Sequence, residues 1–196
     1  MVVAVFVLLL ASMMVAALRH PDIPKGTITP PHPVTIGDTL VGPATITLDA
    51  TSSDQWTFFD FSRNSAVQNP GPQDWDLAVR RFYIMANGGA RFQGRGGLAD
   101  LGKVSFDSTA TLPDSGYVVT EKDSINPAIR RWYDYGFASH LLRSKEHVYA
   151  VRTADGKYAK IQIVTYYCGE AQPGCMTFTY VYQGNGTRTL TTSHHN

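Results

Sequence analysis

The sequence predicts an all-β domain of antiparallel strands and hairpins, preceded by one N-terminal transmembrane helix. Three observations carry this reading. From residue 35 onward the apolar residues alternate with polar ones, and little recurs at the spacing of a long amphipathic helix. The composition, with 17 Gly, 11 Pro, 10 Tyr and 9 Phe, suits a turn-rich β protein with aromatic faces. Residues 1–18 carry no charge, and Ser12 is their one polar side chain. The 196 residues fit one ordinary domain and something small beside it. With 43% hydrophobic and 17% charged residues the chain can bury a core, which excludes a disordered protein. A formal charge of +1 offers no global field for nucleic acid, so no nucleic-acid partner is expected.

The elements follow in chain order. As a helix, Met1 to Leu18 would span roughly 27 Å at about 1.5 Å per residue, just enough for a bilayer core of about 30 Å. A secretory signal peptide is the competing reading, because Val15-Ala16-Ala17 offers small residues for cleavage. No Lys or Arg precedes the apolar run, which favours a retained anchor. Arg19 and Lys25 follow it, and charge alone does not set its orientation. Residues 19–34 hold Pro21, Pro24, Pro30, Pro31 and Pro33, a density that forbids helix and central strand. They read as an extended tether, able to hold the domain tens of ångströms from a bilayer (at about 3.1 Å per residue) or to lie across a neighbour. Residues 35–196 are the β domain.

Within that domain, Ala44 to Ala50 (ATITLDA) and Gln55 to Ser62 (QWTFFDFS) read as a hairpin closed by Thr51-Ser52-Ser53-Asp54. Asp74 to Met85 reads as strand, with Trp75, Leu77, Val79 and Tyr83 on one face and Arg80, Phe82 and Ile84 on the other. Arg80, Arg81 and Arg152 are expected to hold acidic or carbonyl partners inside the domain. Ile125 to Trp132, with Pro127 near its start, is the one short helix expected. His147 to Thr153 and Lys157 to Tyr167 form a second hairpin around Ala154-Asp155-Gly156, where Gly supplies a positive φ. Along Lys157 to Tyr167, Ala159, Ile161 and Ile163 face a core while Lys160 and Gln162 face water. Met176 to Tyr182 should return antiparallel beside it and complete a meander.

Cys168 and Cys175 sit at the two ends of a loop between antiparallel strands. Facing positions there bring Cα atoms to about 4.5–5.5 Å, within reach of a disulfide. A metal or redox pair is the rival, but the spacing has no second Cys partner and no nearby His, so no metal site is expected. A disulfide implies an oxidising compartment, hence a periplasmic domain.

No catalytic constellation is visible, and the chain does not read as an enzyme. His20 and His32 lie in the tether and His194 and His195 in the tail, leaving His140 and His147 in the domain. The run Asn87 to Gly97 (NGGARFQGRGG) contains Gly94-x-Gly96-x-x-Ala99, a formal dinucleotide fingerprint without the βαβ unit that would give it meaning. It reads instead as a mobile glycine-rich loop. Asp74 and Asp76 flank Trp75 and read as caps or ion-pair partners, not as a glycosidase dyad.

Asp74 to Met85 (DWDLAVRRFYIM), followed by Asn87-Gly88-Gly89, resembles the core of HmuY-like domains, exported β proteins whose named members bind haem. Gln55-Trp56-Thr57-Phe58-Phe59 before it recurs in the same order, as do Trp132-Tyr133-Asp134-Tyr135, Tyr149 to Thr153, Asp155 to Lys160 and Phe178-Thr179-Tyr180 after it. The resemblance covers roughly residues 35–184. It implies haem as cofactor, held by axial side chains on loops beside an apolar slot. His140, His147, Met85 and Met176 are the candidate donors, with His140, in the loop after the Trp-Tyr segment, the best placed; a plain turn or surface histidine is its competing reading.

Two functions are expected from the whole chain. The first is a membrane-anchored, extracytoplasmic, non-catalytic subunit that stabilises a larger integral membrane complex. Extrinsic stabilising subunits of bacterial photosynthetic reaction centre–light-harvesting assemblies are a precedent for that arrangement. Its contacts would be the bilayer through residues 1–18 and partner proteins through the glycine-rich loop, with Asn87, Arg91, Phe92 and Arg95 as candidates. The alternative is haem capture at the membrane surface.

Overall fold

A computed structural model describes residues 23–121 and 125–191, together with Val5, Val7 and Met14. The expected anchor lies outside the described residues, save that these three positions are helical and exposed. No helix among the described residues is long and apolar enough to cross a membrane.

The domain is all-β, as its alternation predicts. Its strands are β1 (Leu40–Asp49), β2 (Thr57–Asp60), β3 (Ser65–Val67), β4 (Leu77–Arg80), β5 (Tyr83–Ala86), β6 (Gly97–Asp100), β7 (Tyr133–Tyr135), β8 (Leu142–Ser144), β9 (Val148–Arg152), β10 (Tyr158–Tyr167) and β11 (Pro173–Gln183). A five-stranded sheet runs β1-β11-β10-β9-β6, a four-stranded sheet β3-β2-β4-β5, and β7 pairs with β8. Their pairings are antiparallel.

The two larger sheets bury an aromatic seam between them. Phe59 meets Phe178 at 5.5 Å and Tyr180 at 5.7 Å between ring centroids, and Phe61 stacks on Tyr182 at 5.8 Å. Leu77, Val79 and Ile84 from one sheet and Tyr149, Val151 and Ile161 from the other complete this core. Each such side chain contributes about 1.5–3 kcal/mol on burial.

The meander β9-β10-β11 forms as expected, with Gly156 at φ +86° in its first turn. The first expected hairpin does not. β1 pairs with β11, whereas β2 pairs with β3 and β4, so residues 50–56 cross from one sheet to the other. Asp49 Oδ1 accepts from both the N–H and the hydroxyl of Thr51, at 2.9 and 2.6 Å, and turns the chain out of β1. Asp74 to Met85 is likewise not one strand: Arg81, at φ +51°, turns it into the β4–β5 hairpin. The turn puts Leu77, Val79 and Ile84 in the main core and leaves Trp75 with Ala78 and Met85 in a smaller one. In place of the helix over 125–132 there are two consecutive turns, Ile129 N–H to Asn126 O and Trp132 N–H to Ile129 O, both 3.2 Å. Lys160 is not wet, because the segment after β6 covers it, and its ammonium donates to the carbonyls of Phe106 and Thr109.

From Ile23 onward the proline-rich segment lies along the domain. Proline supplies extended backbone, and N–H groups along the segment find acceptors on the body: Gly26 to Tyr167 O at 2.7 Å, Thr29 to Thr47 O at 2.9 Å, Val34 to Arg63 O at 2.9 Å and Ile36 to Ser62 O at 2.7 Å. Ile23 is buried in the main core. The segment is a strap.

Candidate functional site

The β7–β8 hairpin stands apart from both large sheets, and its base is fixed from below. Trp132, buried, donates its indole N–H to Phe82 O at 2.9 Å. The Leu142 N–H donates to the Tyr167 hydroxyl at 2.8 Å, and the Ser144 hydroxyl to Ile163 O at 2.5 Å. Phe82, Tyr133 and Tyr166 pack edge to face around the same base, Phe82 to Tyr133 at 5.8 Å. Burial pushes the Tyr166 phenol up, partly offset by the Arg81 charge, and its hydroxyl has no hydrogen-bond partner.

The tip is open. Gly136 N–H bonds to Leu141 O at 2.8 Å and His140 N–H to Gly136 O at 2.7 Å, closing a loop in which His140 sits at φ +55°. Phe137 is 86% exposed and Tyr135 54%. The Tyr135 hydroxyl lies 2.5 Å from His140 Nδ1, which leaves Nε2 of this exposed histidine without a described partner. Beside the hairpin runs an open groove of about 420 Å³ walled by Leu142, Arg143, Ile163, Thr165 and the strap residues Ile23 and Pro24.

The other candidate donors lie elsewhere. His147 Nδ1 is 3.0 Å from both Asp100 oxygens, half-buried before β9. Met176 is fully buried in the main core and Met85 sits under Trp75 in the smaller one, which holds both thioethers as packing. The structure does not bring the four together. A second groove of about 490 Å³, walled by Trp56, Phe58, Leu48 and Ile28 beneath the strap, carries no His, Met, Cys or Tyr. Among the described residues, the hairpin tip sets an imidazole next to exposed aromatic surface.

The glycine-rich loop is packed, not mobile. Asn87 is buried and its amide donates to Pro72 O and Trp75 O at 2.9 and 2.8 Å. A Cβ on Gly88 would lie 1.8 Å from Gly96 O, so glycine is required where the loop crosses itself. Phe92 packs edge-on against Trp75 at 5.4 Å, and Arg95 donates to Asp155 O while its own carbonyl accepts from Arg152 Nε at 2.7 Å. Arg91 is exposed on the same loop. Of the three arginines expected to find internal partners, Arg81 bonds to Thr51 O at 3.0 Å and Arg152 to Arg95 O, whereas Arg80 stacks over Trp56 at 4.5 Å. Cys168 and Cys175 are joined, with Cα atoms 5.0 Å apart.

Tyr135 and Phe137 were not singled out by the sequence reading. Their signal was two aromatics around a glycine in a polar stretch (YDYGFASH), a pattern that says turn before it says exposure.

An antiparallel β-sandwich with a projecting aromatic hairpin defines the class. The chain belongs to the HmuY family, whose model, described as HmuY protein, matches residues 52–180. Three solved structures share the fold. The apo HmuY analogue of Tannerella forsythia matches with TM-score 0.59 at 17% identity, over 74% of this chain and 97% of that one. A candidate lipoprotein of Bacteroides fragilis gives 0.57 at 20%, over 77% and 93%. A candidate HmuY-like haem-binding protein of Bacteroides vulgatus gives 0.56 at 21%, over 76% and 98%. No curated protein matches the sequence.

Proposed function

We propose that this protein binds haem, non-catalytically, at the tip of the β7–β8 hairpin, with His140 Nε2 as axial ligand. The observation that carries the reading is the arrangement at the tip: Nδ1 is engaged by Tyr135, Nε2 is open, and Phe137 offers apolar surface beside it. Fixing one ring nitrogen orients the other toward a metal. The HmuY family membership and the description of the Bacteroides vulgatus protein support haem as the ligand. Among the described donors, His140 is the residue that would hold the iron, since both domain methionines are buried. Titrating the full-length protein with ferric haem tests this. A saturable Soret change at one equivalent that His140→Ala abolishes supports it, and an unsaturable change, or one indifferent to His140→Ala, rejects it.

A second reading concerns placement. The disulfide supports an oxidising compartment, and the docked strap leaves four residues, five residue steps, between Leu18 and Ile23, at most about 18 Å of chain. If residues 1–18 stay as an anchor, the domain sits against the periplasmic membrane surface, as an accessory subunit of a membrane complex would. Intact-mass measurement of the native protein tests it: a mature chain beginning at Met1 supports the anchor, and one beginning near Leu18 rejects it.

A further inference from the structure

We propose that the β7–β8 hairpin is a second membrane contact, its tip aromatics Phe137 and Tyr135 entering the headgroup layer of an anionic bilayer. The proposal rests on residues 1–18 being a retained anchor, and it uses the same tip residues, Tyr135 and Phe137, that the haem reading places beside His140.

The strap fixes where the chain meets the body. Pro24 O accepts the Thr165 hydroxyl at 2.7 Å, Gly26 N–H bonds to Tyr167 O, and Ile23 is buried beside Leu142 and Arg143 in the groove wall. Leu18 is then within about 18 Å of Ile23 along the chain. The hairpin borders the same groove. Leu142 faces Tyr135 in register, and Phe137 lies two residues further, at most about 7 Å of chain beyond that pair. A bilayer that holds Leu18 and the hairpin tip therefore meet at one end of the sandwich. The opposite end of β11, past Gln183, is about 37 Å away along the strand at roughly 3.4 Å per residue.

The chemistry of the tip matches that layer. Phe137 and Tyr135 are the aromatic members of the exposed large hydrophobic residues described. Arg143 is exposed on β8 and Arg130 and Arg131 are exposed just before β7, and Asp134, opposite Arg143, is 3.8 Å from the Lys145 ammonium. Aromatic rings on a hairpin that also carries guanidinium groups are a composition favoured where hydrocarbon gives way to phosphate. A pair of rings on a two-stranded tip is also far smaller than the roughly 800 Å² that a stable protein interface takes from each partner. A lipid surface needs no such area when a tethered anchor already holds the domain beside it.

The test places a tryptophan at the tip of the full-length chain, Phe137→Trp, with Thr187→Trp at the far end as control. Both are reconstituted in phosphatidylcholine–phosphatidylglycerol nanodiscs containing acyl chains brominated near the headgroup, and emission is read against wild type. The expected result is a blue-shifted emission from Phe137→Trp that the brominated lipid quenches, with Thr187→Trp unaffected. Arg131→Gln with Arg143→Gln should weaken that quenching. Incorporation into nanodiscs without quenching of Phe137→Trp overturns the hairpin contact and leaves the anchor standing. Protection of Phe137→Trp from aqueous quencher only in native membranes would assign the tip to a protein partner and overturn the lipid contact. Failure to incorporate at all rejects the anchor and the contact with it.

Discussion

Asp76 ties the two sheets together by accepting the Ala154 N–H on Oδ1 at 2.7 Å, while its Oδ2 accepts the Phe61 N–H at 2.9 Å. Ala154 belongs to the β9–β10 turn of one sheet, and Asp76 and Phe61 border strands of the other. The carboxyl is buried, and that burial, reinforced by the Asp60 charge, pushes its pKa up to about 7 against the lowering effect of the two N–H donors.

A raised folded-state pKa means that the native state binds this proton more tightly than the unfolded chain does. The stability it contributes is full below the ordinary carboxylate value of 3.8 and is lost as pH rises through about 7. Chemical denaturation at a series of pH values should show the domain weakening across that interval. Asp76→Asn should flatten the slope; Asp76→Ala should flatten it too and cost about 2–4 kcal/mol at low pH by stranding two buried N–H groups, a cost that shrinks as pH rises through about 7. A slope unchanged in Asp76→Asn would assign the titration elsewhere.

Tyr167→Phe removes the hydroxyl that receives Leu142 N–H and should cost about 1 kcal/mol. Hydrogen exchange should quicken at Leu142 and around the hairpin base while β9 and β11 keep their protection. Equal loosening everywhere would mean that the hairpin is not a separable unit.

Gly26→Ala tests the strap. A Cβ there would lie 2.2 Å from the Thr177 hydroxyl oxygen, which is itself bonded to Thr47 at 2.8 Å. Trypsin should then cut after Lys25 much faster than in wild type, with the sandwich intact. Unchanged cleavage would show that the strap is not held at this point.

Cys168 and Cys175 close a loop of seven residue steps, for which chain entropy gives a stabilisation of about 2–3 kcal/mol. Replacing both by alanine should lower the denaturation midpoint accordingly without changing the denaturant slope. A changed slope would indicate a more extensive rearrangement.

What was legible in the sequence was whatever depends on neighbours along the chain. The β9–β10 turn was readable because Gly156 sits between two alternating runs, and the disulfide because its cysteines bracket one loop. Sheet membership was not. Ala44 to Ala50 and Gln55 to Ser62 look like a hairpin locally, but β1 finds its partner at Thr177 and Thr179, about 130 residues away. Lys160 looked wet because only a distant segment, around Phe106, covers it. The docking of the strap is hidden for the same reason, since prolines announce extended backbone and say nothing of what that backbone lies against. At the hairpin, His140 could be picked out as a titratable residue after a Trp-Tyr segment, whereas its bond to Tyr135 and the exposure of Phe137 depend on a five-residue loop closing as it does.

If His140 Nε2 holds haem iron as proposed, electron paramagnetic resonance of the ferric complex will report it. Wild type and His147→Ala should give the same histidine-ligated spectrum, and His140→Ala should lose it. A spectrum that survives in His140→Ala, or that disappears in His147→Ala, would contradict the assignment.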